Sequence, residues 1–91
     1  MNIVIIGSGK IGDSICEQLA REGHDVTLID KTADILGTTA NQLDIMCVEG
    51  DGAMRSTLIE ANAGGADLVI ACTGSDETNM LSCLMAKKLG A

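Results

Sequence analysis

A chain of 91 residues, 46% of them apolar, has enough aliphatic material for the core of one domain. It contains no Phe, Tyr, Trp or Pro, which excludes aromatic platforms for single-stranded nucleic acid and aromatic cages for organic cations. Six basic against thirteen acidic residues leave a net charge of −7, the wrong sign for a binder of nucleic-acid phosphates.

Residues 3–6, Ile-Val-Ile-Ile, are a continuous β-branched run, the pattern of a strand buried on both faces. The chain reaches Gly7 too soon, and without a basic leader, for a signal peptide. No apolar run approaches the roughly 18–20 residues that cross a bilayer. A cytoplasmic chain without direct membrane insertion is expected. Ile11, Ile15, Leu19 and Ala20 then recur at helical spacing, and Gly23 is placed to end that helix. The second strand is expected over residues 26–29. Thr32 is placed to cap a second helix running to about residue 41, with Asp34 in its first turn. Gly37 weakens that helix by roughly 1 kcal/mol relative to Ala.

A third strand is expected over residues 45–48, a short helix over 53–61 before the turn Gly64-Gly65, and a fourth strand over 68–72. Ser75 or Asp76 caps a last helix, in which Met80, Leu81, Leu84 and Met85 form one apolar face and which Gly90 ends. Strands alternating with helices imply right-handed βαβ units. The expected fold is therefore α/β, a Rossmann-like parallel sheet of strand order 3-2-1-4 with helices on both faces. In that order the fourth strand is an apolar, unpaired edge, and a fifth strand is due next. The 91 residues are thus expected to be one domain truncated before its last strands, a fragment or half of a sheet that another chain completes.

Cys16, Cys47, Cys72 and Cys83 are spaced 31, 25 and 11 apart, without the short spacings of a zinc site. Each sits in an apolar segment and reads as a small core hydrophobe in a reducing compartment.

The strongest chemical signal is Gly7-Ser8-Gly9-Lys10-Ile11-Gly12, which follows the first strand and opens the first helix. In a dinucleotide site Gly7 permits the tight turn, Gly9 lets a pyrophosphate touch the backbone, and Gly12 lets the helix pack closely on the sheet. The helix start then offers free N–H groups and a positive dipole end. Lys10 either approaches the phosphates or points into water. Asp30 lies 18 residues past Gly12 at the end of the second strand. There a carboxylate accepts the ribose hydroxyls and repels a 2′-phosphate, favouring NAD(H) over NADP(H), although Lys31 softens that repulsion. Gly50-Asp51-Gly52 follows the third strand on the same edge, with Asp51 placed to face an adenine between glycines that leave room for a flat base. Thr73-Gly74-Ser75-Asp76-Glu77-Thr78-Asn79 follows the fourth strand, across the switch point of the strand order. Thr73 and Gly74 are the expected contacts to the distal half of a dinucleotide, and Asp76 and Glu77 also suit a helix's first turn. His24, the single histidine, precedes the second strand and is expected at the opposite end from the ligand edge. No catalytic or metal-ligating residue is expected.

The stretches IVIIGSGKIG (3–12), VTLID (26–30), VEGDGA (48–53) and LVIACTGSDETN (68–79) together resemble the N-terminal domain of the Trk-type potassium uptake regulators, also called the RCK or KTN domain. The resemblance implies a cytoplasmic domain that binds NAD(H), or ATP, ADP or AMP, without turning it over. It further implies pairing into dimers or larger rings that gate a separate membrane K+ transporter and so sit at the inner face of the membrane. Two other functions use a similar glycine turn. One is the cofactor domain of an NAD-dependent dehydrogenase whose substrate domain lies elsewhere; the other is an S-adenosylmethionine-dependent methyltransferase.

Overall fold

A computed structural model describes residues 1–7, 10–31 and 45–91, with the side chains of Lys10 and Ile11 left out. The helix expected from Thr32 to about residue 41 lies outside the described residues, as do Ser8 and Gly9.

The elements in chain order are β1 (Asn2–Ile6), α1 (Lys10–Arg21), β2 (Asp25–Asp30), β3 (Met46–Glu49), α2 (Arg55–Glu60), a 3-10 turn at Ala63–Gly65, β4 (Leu68–Ala71) and α3 (Asp76–Leu89). The four strands form one sheet of order β3-β2-β1-β4, and every pairing is parallel. Ile3 stands opposite Val26 on one side and Leu68 on the other. The expected order is the observed one.

β1 is central, and its β-branched run alternates between two cores. Ile3 and Ile5 pack with Cys16, Val26, Leu28 and Ile45, under Ile15, Leu19 and Ala20 of α1. Val4 and Ile6 pack with Ile29, Val48, Leu58 and Ala86 on the opposite face, which α2 and α3 cover. Helices therefore lie on both faces, and the apolar run of residues 3–6 feeds both cores.

Local chemistry fixes the element ends. Gly23 has φ +89, and after α1 the N–H of Gly23 donates to Ala20 O while that of His24 donates to Leu19 O. That pair of bonds is a Schellman closure, which requires the left-handed backbone glycine tolerates. Ser75, not Asp76, caps α3, its hydroxyl accepting the Thr78 N–H at 3.2 Å, and Gly90 ends the helix at φ +125.

Two expectations needed correction. The short helix begins at Arg55, not residue 53, because Asp51 takes the preceding N–H groups. Its Oδ1 accepts from Ala53 N and its backbone oxygen from Met54 N, both at 2.9 Å, and that turn holds residues 51–54 out of the helix. In α3, Ser82 and Ala86 are buried and Met85 and Leu89 pack inward, whereas Met80, Leu81 and Leu84 are exposed. The apolar face read from the sequence exists, but most of it looks outward. The helix end lies close against the 3-10 turn: a Cβ on Gly64 would stand 2.5 Å from Leu89 O, and one on Gly90 2.9 Å from Gly64 O. The inward stripe of α3 mixes small and large residues, Ser82 and Ala86 with Met85 and Leu89.

Candidate functional site

Three chain segments meet where the strands end. Gly7 leaves β1 at φ +95, its N–H donating to Ile29 O at 2.7 Å. A Cβ there would stand 3.0 Å from both Cγ2 and the backbone nitrogen of Thr73, so glycine is required by backbone angle and by space. Gly12, one turn into α1, faces back onto this turn. A Cβ on it would collide with the Gly7 carbonyl oxygen and lie 3.4 Å from Cys72 Sγ. The close helix–sheet packing expected of Gly12 is present.

Gly50 ties the tips of β2 and β3 together, its N–H donating to Asp30 O at 2.8 Å. The expected space for a flat base beside Gly50 and Gly52 has a different origin. A Cβ on Gly52 would collide with Ile6 Cγ2, and one on Gly50 would stand 2.8 Å from Thr57 Oγ1. These glycines answer packing from beneath the loop. Asp51 is held by the Ala53 N–H, and Lys31 Nζ lies 3.8 Å from its Oδ2. The Lys31 side chain is 71% exposed, so the pair adds little stability.

Between these segments lies a cavity of about 460 Å³. Asp30, Lys31, Gly50, Asp51 and Gly52 line one end of it; Gly7 lies at the middle. Cys72, Thr73, Gly74, Ser75 and Thr78 line the other end. Eight of the residues singled out in the sequence thus share one cavity, with both carboxylates at the β2–β3 end. Gly12 supports the cavity from below without lining it. The positions of Ser8, Gly9 and the side chains of Lys10 and Ile11 lie outside the described residues.

Cys72, Ser75 and Thr78 also line the cavity, and the sequence reading gave none of them a contact there. Ser75 and Thr78 belong to the motif after the fourth strand, of which only Thr73 and Gly74 were assigned; the signal for Cys72 was its place directly after a strand end. The Cys72 thiol lies 3.3 Å from Gly7 O and 3.5 Å from Ile6 O, and donates its single proton there. Burial raises the pKa of Cys72 and of Cys47. Cys16 is pushed up to about 12, chiefly by burial and further by Asp13 and the neighbouring Cys72 and Cys47. These thiols stay protonated at neutral pH and serve as core atoms and weak donors rather than nucleophiles. Among the described residues no group of three or more His, Cys, Asp or Glu is placed to hold a metal ion. No described helix is long and apolar enough to cross a membrane.

His24 lies at the far edge, next to the start of β2, with Nδ1 3.2 Å from the Met1 amino group. At ~3.3 Å per residue the strand puts ~15–20 Å between it and the Asp30 end.

Comparison with known proteins agrees with the fold. The TrkA-N domain family matches residues 3–91. A Trk system potassium uptake protein TrkA homolog of Methanothermobacter thermautotrophicus is 40% identical over 88 residues, 97% of this chain and 41% of the relative. The Trk system potassium uptake protein TrkA of Halomonas elongata is 42% identical over 89 residues, 98% of this chain and 20% of the relative. The chain therefore spans less than half the length of these relatives. Among solved structures, ChuY, an anaerobillin reductase from Escherichia coli O157:H7, overlays with TM-score 0.79 at 21% identity, over 99% of this chain and 47% of that one. The AMP-bound Kef CTD of Shewanella denitrificans overlays with TM-score 0.78 at 21% identity, over 97% of this chain and 52% of that one. At that identity the two structures establish the fold alone.

Proposed function

The chain belongs to the TrkA-N domain family, and from that premise we propose that it is the nucleotide-sensing regulatory domain of a potassium uptake system. The observation that carries this reading is the single cavity joining the Gly7 turn, the Asp30 and Asp51 carboxylates and the Thr73-Gly74 wall. Its chemistry suits adenosine attached to phosphate. Carboxylates stand at the β2–β3 end, where ribose hydroxyls and an adenine amino group donate. The proposed phosphate contacts are Gly7, Ser8, Gly9, Lys10, Ile11 and Gly12 at the opening of α1, a helix start of the kind that offers backbone N–H groups to an anion. The Gly7 N–H itself is taken by Ile29 O, so Gly7 shapes the turn rather than donating. Gly74 has open space where a side chain would go, so glycine there serves neither packing nor a positive φ and keeps the far wall low.

The proposed ligand is NAD(H), with ATP, ADP or AMP sharing the adenosine end. Asp30 takes the ribose hydroxyls with Lys31 beside it, Gly50, Asp51 and Gly52 border the adenine, and Thr73 and Gly74 meet the distal half. The domain binds without turnover. Among the described residues the cavity wall offers no histidine, and its one cysteine favours the neutral thiol. Regulation follows when the nucleotide binds two arrangements of the protein unequally and a membrane K+ transporter distinguishes them. The chain works at the inner face of the membrane as a homodimer or ring.

Direct titration tests this. With no Trp or Tyr in the chain, NADH fluorescence is read without protein background. NADH and AMP are expected to bind, with NADPH at least about tenfold weaker than NADH, or 1.4 kcal/mol. Equal affinity for NADH and NADPH would remove the role given to Asp30, and an empty cavity at millimolar nucleotide would remove the function.

A further inference from the structure

Thr73 is the residue at which the chain leaves the sheet. The Cys72 N–H still donates to Ile6 O at 2.9 Å, but β1 ends there and the next peptide has no strand to pair with. Asn79 of α3 takes the place of that strand. Its Oδ1 accepts the Thr73 N–H at 2.9 Å, and its Nδ2 donates to Thr73 O at 3.2 Å. One carboxamide thus satisfies both backbone polar groups of one residue, as a neighbouring peptide would. The Thr73 hydroxyl lies 2.6 Å from the same Oδ1 and accepts the Ser75 N–H at 3.2 Å. Asn79 is itself held in the helix, its N–H donating to Ser75 O at 3.0 Å.

This network fixes one wall of the cavity. Thr73 and Gly74 line it whereas Asn79 does not, so the carboxamide acts from behind. From the other side Thr73 is pressed on Gly7, where no Cβ would fit. Strand order β3-β2-β1-β4 places the Asp30 and Asp51 carboxylates at the opposite end of the cavity from Thr73. A ligand whose adenosine sits between those carboxylates meets Thr73 with the groups farthest from its adenine.

We propose that Asn79 is a positioning residue of this site: its carboxamide holds the Thr73-Gly74 wall in place before binding, and so governs the distal half of a dinucleotide and not its adenosine half. The proposal rests on the nucleotide reading above. A wall already ordered needs no ordering by the ligand, which raises affinity without a new contact.

The full chain and its Asn79→Ala variant decide the matter, with NADH followed by fluorescence and AMP by calorimetry. Ala is a better helix former than Asn, so α3 is not weakened by the change itself; Asn79→Ser, too short to reach both groups, is the second variant. The expected result is NADH binding about tenfold weaker with AMP binding within about twofold of wild type, a split that general loosening of the fold would not produce. Variants in which both ligands weaken alike, in which neither weakens, or which both unfold overturn the positioning role and leave the nucleotide reading standing. A wild-type chain that binds neither NADH nor AMP overturns the nucleotide reading and this role with it.

Discussion

A single methyl group at position 52 has nowhere to go. Gly52 follows β3, yet the atom a Cβ would strike is Ile6 Cγ2, on a strand two places away in the sheet. Ile6 is 1% exposed and packed in the core, so it does not swing aside. Gly52→Ala is expected to destabilise the fold by about 1–3 kcal/mol, the usual cost of overpacking, read as a lower urea midpoint at unchanged slope. Gly74→Ala is the contrast, since a Cβ there meets nothing, and it is expected to leave the midpoint alone. That Gly7, Gly12, Gly50 and Gly52 matter was legible from their placement after strands. The reason was legible only for Gly7 and Gly12, whose partners belong to a recurring local geometry. The partners of Gly50 and Gly52 are Thr57 and Ile6, and no spacing in the sequence announces them.

At the scale of elements, α3 carries the clearest conflict between local pattern and tertiary demand. Its apolar residues Met80, Leu81 and Leu84 are exposed, while Ser82 is fully buried. The Ser82 hydroxyl is, among the described residues, the buried side-chain group without a hydrogen-bond partner. A buried hydroxyl without a partner retains its desolvation cost, and Ala is the better helix former. Ser82→Ala is therefore expected to stabilise the domain by about 1 kcal/mol. For a chain of this size that raises the melting temperature by roughly 4–8 °C. A lower melting temperature would show that the hydroxyl is bonded after all. By contrast β1, β-branched throughout residues 3–6, gave its role away at once, because such a run suits a central strand covered on both faces.

Across the whole molecule the charge balance sets the response to salt. A net charge of −7 is spread over a body of 31 × 24 × 19 Å. The Debye length is about 30 Å at 0.01 M salt and about 8 Å at 0.15 M. At low salt each acidic group therefore feels most of the others, and this self-repulsion disfavours the compact state. The described ion pairs, Arg21–Glu17 at 2.6 Å and Lys31–Asp51 at 3.8 Å, are exposed and offset little of it. The melting temperature is expected to rise between 10 and 150 mM sodium chloride. A fall would mean that the surface pairs outweigh the repulsion.

By itself the sequence determined the four strands, the helices described after β1, β3 and β4, the parallel order β3-β2-β1-β4, and which loops gather at the carboxyl edge. These follow from periodicity, β-branching and the handedness of βαβ units, all local or generic properties of the chain. Tertiary structure alone decided which face of α3 turns inward, why Gly50 and Gly52 admit no side chain, and that Asn79 holds Thr73 from behind. Each of those depends on how closely two distant segments approach. Distances of a few tenths of an ångström decide such matters, and hydropathy patterns along a chain do not contain them.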